Sequence, residues 1–571
     1  MEFILALHSH LPYVLNHGRW PHGSDWLCEA ALDTYLPLLE RLEELAAEGT
    51  PARVTIGFTP VLANQLASPA FARELEAFIA QRLAVCDEAP ASLGATGDTA
   101  LVPLVAFWKS RLHRLQALFR AIDADVVSAF RRLQERGSLE IIGSAATHGY
   151  LPLLARDESI RLQLAVGREE HRRLFGAAPA GCWLPECAYR PRGAWKPLPG
   201  SGVPARGVRR GIEEHLADAG FRYFFTDAHL ARAGSPLGAY GEIPLGAERF
   251  DAERRDSSPS SPAAVRAQRS PYQGYRVSGR GARRPVAALV RDPRSSTQIW
   301  SRHRGYPGDE WYLEFHKIRW PGGLKLWRVS GADLDLGAKR PYEPQAAFER
   351  AVGHASHFVQ LLEGLAPEQP ADGDGVIVAP FDTELFGHWW FEGAEFLAAT
   401  YRALRGRPSV RPVTASQYLE AHPPRVALRL AEGSWGANGD HSMWLNERTS
   451  WTWQRLWTLE DAFWDVAPAA LASPAAQPVL AQAARELLLA QASDWQFIIS
   501  TGAVVDYAER RFTLHADDAE RLITTLAAGL GAGGAGDGAA LESAQRHAEE
   551  LSRRDELFPN VLAAVAEALG G

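Results

Sequence analysis

The strongest constraint in this chain is a recurring pattern in which short apolar runs end on polar, chemistry-bearing residues and long helical stretches separate them. Strands are expected at Phe3–Leu7, Arg53–Phe58, Leu139–Gly143, Gly181–Leu184, Tyr223–Thr226, Leu324–Arg328 and Val376–Ala379. Helical periodicity fills the intervals, as at Leu32–Ala47, Phe71–Val85, Ala106–Arg136 and Ile160–Phe175. Strands alternating with helices imply βαβ units and a parallel sheet. About seven such strands fit an incomplete (β/α)7 barrel better than a two-sided sheet.

A length of 571 residues exceeds what one core supports, so more than one unit is expected. The catalytic barrel is placed at residues 1–425, with insertions at about 191–214 and 232–285. The second insertion is rich in Gly, Ser, Pro and Arg, as in Asp256-Ser-Ser-Pro-Ser-Ser-Pro262, and reads as a loop. From 426 to 571 the pattern turns helical, giving a C-terminal α-helical domain in which Pro559 breaks the last segment.

Net charge is −8 at pH 7, which speaks against a nucleic-acid partner. No run of about 18 apolar residues occurs, so no membrane span is expected. The N-terminus lacks a signal-peptide pattern, and the four cysteines form no CxxC pair. A cytoplasmic protein with reduced thiols, monomeric or homodimeric, is the expectation. Tryptophan is the outlier, with 18 residues in clusters, and flat indole faces suit the C–H faces of sugar rings.

The polar residues fall at strand ends, where parallel barrels gather their reactive groups. His8 and His10 follow the first strand, and His148 follows the third. Glu186 leaves the Cys182-Trp-Leu184 strand, and Asp382 leaves Val376-Ile-Val-Ala379. Glycoside chemistry needs two carboxyls across the scissile bond, one nucleophilic and one protonating the leaving oxygen. Phe381, Trp389 and Trp390 surround Asp382, and apolar neighbours favour its protonated form. Glu384, Glu392 and Glu395 are rival acids in that segment, but Asp382 leaves the strand first. His8 and His10 are either metal ligands or hydrogen-bond donors to sugar hydroxyls. No Asp/His set with metal-ligand spacing accompanies them, so neither metal nor cofactor is expected.

His8-Ser-His-Leu-Pro-Tyr13, Leu139-Glu-Ile-Ile-Gly143 with Ala145-Ala-Thr-His-Gly-Tyr150, Gly181-Cys-Trp-Leu-Pro-Glu186 and Ala379-Pro-Phe-Asp-Thr-Glu384 resemble, in order, the signature regions of glycoside hydrolase family 57. The resemblance implies a (β/α)7 barrel and a retaining mechanism without a required metal, with Glu186 as nucleophile and Asp382 as acid/base. Ile299-Trp-Ser-Arg-His-Arg-Gly305, Ser434-Trp-Gly436, Trp444-Leu-Asn-Glu447 and Ser493-Asp-Trp-Gln-Phe497 are similar to the branching members of that family. By that likeness an α-1,4-glucan is the substrate, an α-1,6 branch is the product, Trp300, Trp435 and Trp444 line subsites, and Asp494 reaches in from the helical domain. A loop tyrosine important for transfer is also implied. Here that region is expanded, and Tyr240, Tyr272 and Tyr275 compete for the role, with Tyr240 foremost. The alternatives are an α-amylase or 4-α-glucanotransferase of the same family, a metal-dependent polysaccharide deacetylase, and a glycan-binding protein without catalysis.

Overall fold

The computed structural model of the protein describes residues 1–200, 202–232, 269–279, 284–301, 305–331, 334–368, 370, 373–531 and 537–570. Seven parallel strands form its centre: β1 (Glu2–Ser9), β2 (Val54–Phe58), β3 (Leu139–Ser144), β4 (Gly181–Trp183), β5 (Tyr223–Thr226), β6 (Val286–Val290) and β7 (Val376–Asp382). Their order is β7-β1-β2-β3-β4-β5-β6, an incomplete (β/α)7 barrel. The ladder opens between β6 and β7. There Asp292 N–H donates to Val378 O (2.8 Å), and Val376 N–H donates to Tyr272 O (3.0 Å). An antiparallel strand, Gly274–Val277, covers the outer edge of β6. Every residue of β1 is buried, as expected for a strand covered on both faces.

The expected strand at Leu324–Arg328 is not formed. Leu324 and Arg328 make only isolated bridges, to Arg319 and Leu313. The sixth barrel strand is Val286–Val290, whose apolar run pairs in parallel with β5 and is buried at every residue but Ala287. The segment read as one loop from 232 to 285 likewise contains the Gly274–Val277 strand. Within 191–214, Gly193–Trp195 and Arg206–Arg209 pair as a short antiparallel ribbon. The helical stretch Ala106–Arg136 is two helices, Val102–Ala121 and Val126–Glu135, separated by Asp123 and Ala124 at positive φ.

From Ser450 onward the described chain is helical. This unit docks on the segment after β3 through aromatic donors. Trp457 Nε1 donates to Leu153 O (2.8 Å) and Trp464 Nε1 to Ser159 Oγ (2.9 Å), while buried Glu460 accepts from Ala155 N–H (2.6 Å). These anchors carry the N-terminus of the Asp494–Thr501 helix to the mouth of the barrel, where Ser493 N–H donates to His148 O (3.2 Å).

Candidate active site

The site is built where β1, β3, β4 and β7 end and the helical unit arrives. Parallel pairing of β1 with β7 sets His8 beside Asp382, because their Cα atoms are register partners. Glu186 leaves β4 with φ 59° and ψ 23°, the left-handed region that a non-glycine residue enters at a cost. Two contacts hold that turn in place. Tyr189 and Gly433 exchange backbone hydrogen bonds (2.8 and 3.0 Å), and Trp435 N–H donates to Glu186 O (3.1 Å). The strained turn is thus clamped by a strand-like segment some 250 residues downstream.

The two Glu186 oxygens are both engaged. Trp435 Nε1 donates to Oε2 (2.8 Å) and Ser493 Oγ to Oε1 (3.2 Å). Ser493 Oγ must therefore accept from His148 Nδ1 (2.9 Å). That leaves His148 Nε2 as the acceptor for His8 Nε2–H across 2.9 Å. The network thus fixes one tautomer for each ring and runs as a directed chain, His8 to His148 to Ser493 to Glu186. Burial, and then the neighbouring imidazoles, depress both histidines well below the ordinary value, so both are neutral. Trp183 lies flat on His8, with ring centroids 4.6 Å apart and planes 4° apart.

The acids differ sharply. Burial pushes Glu186 up to about 7, a rise opposed by the Trp435 and Ser493 hydrogen bonds. Asp382 is driven well above the carboxylate range by burial, then by the nearby Glu384 and Glu186 charges, with Arg291 opposing. No described residue donates a hydrogen bond to its carboxyl. Glu384, a rival on the same segment, accepts from Tyr35 OH (2.5 Å) and from His10 N–H (3.1 Å), which ties β7 to the loop after β1. Glu392 is also committed elsewhere, to Tyr342 OH (2.6 Å) and Leu313 N–H (3.1 Å). Glu395 lies on the outer helix, paired with Arg41.

His10 bridges Thr59 Oγ1 (3.0 Å) and Asp494 Oδ2 (3.0 Å). Burial opposes its protonation, yet Asp494 carries its pKa above the ordinary value. His10, His148 and Asp494 cluster closely enough to share an ion, but both nitrogens of each ring already have hydrogen-bond partners.

The expected aromatic residues separate into layers. Trp435 is buried over Glu186 and meets Trp183 edge-on (5.4 Å). Trp300 packs near Phe381 (6.3 Å) and Trp389 (6.5 Å), beside the end of β7. Trp444, expected to line a subsite, is fully buried against Tyr150 (4.6 Å) and under Gly436, behind Trp435. Tyr240 lies outside the described residues. Tyr272 and Tyr275 are buried, and Tyr275 OH donates to Ser270 O (2.7 Å).

Sequence reasoning missed Ser493 as a donor, Arg291, and two exposed tryptophans. Trp20 and Trp320 are 73% and 72% exposed, with ring centroids 6.3 Å apart. With His388 and Trp389 they line a groove of about 620 Å³ that starts just past β7. Their shared Trp-Pro dipeptide was the available signal, but 300 residues separate them.

Comparison with known proteins places these features. The profile described as "Glycosyl hydrolase family 57" matches residues 4–431, and that described as "1,4-alpha-glucan branching enzyme, C-terminal" matches residues 456–565. A 1,4-alpha-glucan branching enzyme of Thermococcus kodakarensis is 39% identical over 98% of this chain and 77% of its own length. The crystal structure of a branching enzyme of this type from Pyrococcus horikoshii superposes with TM-score 0.83 at 37% identity, covering 99% of this chain and 96% of that one. The alpha-amylase AmyC of Thermotoga maritima gives TM-score 0.76 at 27% identity, covering 99% of both chains.

Proposed function

The chain belongs to glycosyl hydrolase family 57, and from that premise we propose that it is a 1,4-alpha-glucan branching enzyme with Glu186 as nucleophile and Asp382 as acid/base. The observation that carries the assignment of roles is the asymmetry of the two carboxyls. Two donors stabilise Glu186 as a carboxylate, while Asp382 has none among the described residues and faces two like charges, so the proton of the pair resides on Asp382.

The reaction is a double displacement. A Glu186 oxygen attacks the anomeric carbon as Asp382 gives its proton to the glycosidic oxygen. The C–O bond breaks, and the departing chain leaves with a new 4-hydroxyl. Asp382, now ionised, takes the proton from an acceptor 6-hydroxyl, whose oxygen displaces Glu186 and completes the α-1,6 bond. Two inversions give net retention. His8 and His148 keep Ser493 pointed at Glu186, and Asp494 accepts from His10 at the rim. The Trp20–Trp320 groove gives an extended glucan apolar faces on which to lie.

Likeness to an alpha-amylase keeps hydrolysis as the second reading, with water as acceptor. Proton NMR of amylose incubated with the enzyme separates the two. Many α-1,6 anomeric signals with few new reducing ends are expected; reducing ends without α-1,6 signals would make it a hydrolase. Glu186→Gln and Asp382→Asn each remove activity on this reading, and retained activity in either would overturn its role.

A further inference from the structure

The floor of the barrel, at the strand ends opposite the carboxyls, carries a concavity that the reaction does not use. Its volume of about 500 Å³ is that of a small-molecule site. Residues 49–53, where the chain enters β2, form one wall. The other is the end of the Gly393–Leu404 helix with residues 405–412, which return to the sheet. Arg411 and Pro412 pair in parallel with Glu2 and Phe3, the first residues of β1. His8, six strand steps along β1, stands beside Asp382, so the concavity lies about 20 Å from the catalytic mouth.

Four arginines line it, Arg53, Arg405, Arg407 and Arg411, and no aspartate or glutamate does among the described residues. In a chain with 68 acidic and 60 basic residues, that wall inverts the overall balance. The nearby glutamates are committed to other bonds. Glu48 accepts both prongs of Arg402 (2.7 and 2.9 Å), and Glu363 accepts from Ser409 Oγ (3.0 Å) and Arg407 (3.4 Å). Glu2 holds Arg411 (3.1 Å). Arg53 and Arg405 have no ion pair and no side-chain hydrogen bond among the described residues. Arg53 is also held at φ 51°, a conformation that a non-glycine residue enters at a cost.

Tyr401, on the helical wall, is a second and independent signal. It is 3% exposed, and its buried hydroxyl meets no hydrogen-bond partner among the described residues. A buried phenol ordinarily has one, because a lone hydroxyl forfeits its bonds to water. Pro51, Pro408 and Val410 add apolar surface to the same wall.

Guanidinium forks match the paired oxygens of a phosphate, and forks left without carboxylates around one concavity favour a dianion. The volume and the apolar surface leave room for an organic body attached to it. We propose that this concavity binds the phosphate monoester of a small metabolite, with Arg53, Arg405 and the Tyr401 hydroxyl on the phosphate and the prolines under the body. The proposal is independent of the roles given to Glu186 and Asp382.

The test is calorimetric titration of the full chain with a hexose 6-phosphate, a nucleoside 5′-monophosphate and inorganic phosphate. Saturable binding of at least one ester is expected, about tenfold or more tighter than inorganic phosphate and weakened by salt. Which ester binds identifies the body. Arg53→Gln, Arg405→Gln and Tyr401→Phe each remove a donor to a charged acceptor and weaken that binding about tenfold or more. Arg510→Gln, at an exposed arginine of the helical unit, leaves it unchanged. No saturable binding, binding that any of the three substitutions leaves unchanged, or inorganic phosphate bound as tightly as the esters overturns the proposal. Arginines that only seal the floor give variants of lower melting temperature, and no ester then raises the melting temperature of the wild type; that result also overturns it. Without added esters, Arg53→Gln and Arg405→Gln convert amylose at the wild-type rate, so failure here leaves the reading of the carboxyls untouched.

Discussion

Replacing Trp435 by phenylalanine removes one atom group with a defined job, the indole N–H that donates to Glu186 Oε2 across 2.8 Å. A phenyl ring still packs against Trp183 and lies under the Arg291 guanidinium, so the aromatic environment is largely kept. On the proposed reading Glu186 must be ionised to attack, and burial already holds it at about 7. Losing a donor to the carboxylate raises it further. Hydrogen bonds to charged groups contribute about 1.5–3 kcal/mol, which corresponds to a rise of about 1–2 pH units. The acid limb of kcat/KM, governed by the lower-titrating member of the carboxyl pair, therefore shifts upward by that amount, while the alkaline limb moves little. Initial rates of amylose conversion measured across pH, with a melting curve for each sample, give the answer. An acid limb that is unmoved, or that moves to lower pH in a folded variant, refutes the claim that this hydrogen bond keeps Glu186 ionised.

Three further outcomes follow from the same geometry. In Asp494→Asn, His10 loses the partner that holds its pKa above the ordinary value, and burial then takes it below; histidine NMR titration reads the change. The stability supplied by this pair is present below the ordinary histidine pKa and lost as pH rises through the elevated folded value, so the variant's deficit shrinks at high pH. In Gly167→Ala, the added Cβ would sit 2.1 Å from Ser144 O, forcing the Asp157–Phe175 helix off β3. A loss of about 1–3 kcal/mol in urea unfolding is expected, and an unchanged midpoint would contradict the packing. Trp457→Ala removes a fully buried anchor of the helical unit and its bond to Leu153 O, at a cost of about 3–5 kcal/mol. Activity should fall with it, because the same docking carries Ser493 to Glu186.

The parts legible from sequence were those fixed by local pattern. Alternating apolar and helical runs give the strand–helix order, because periodicity follows from which face each residue buries. Polar residues leaving strands gave the positions of His8, His148, Glu186 and Asp382, because the C-terminal ends of parallel strands face one mouth. The sixth strand was misread because Leu324–Arg328 and Val286–Val290 are both short apolar runs, and only pairing with β5 tells them apart.

What only the tertiary structure supplies is the set of neighbours around each acid. Ser493 and Trp435 reach Glu186 from 307 and 249 residues away. Arg291 reaches the site from the open seam of the barrel, and Glu384 turns out to be tied to Tyr35. A sequence fixes which residues carry carboxyls. Whether one is a nucleophile or a proton donor depends on which dipoles and charges surround it once water is excluded, and those neighbours are chosen by long-range packing.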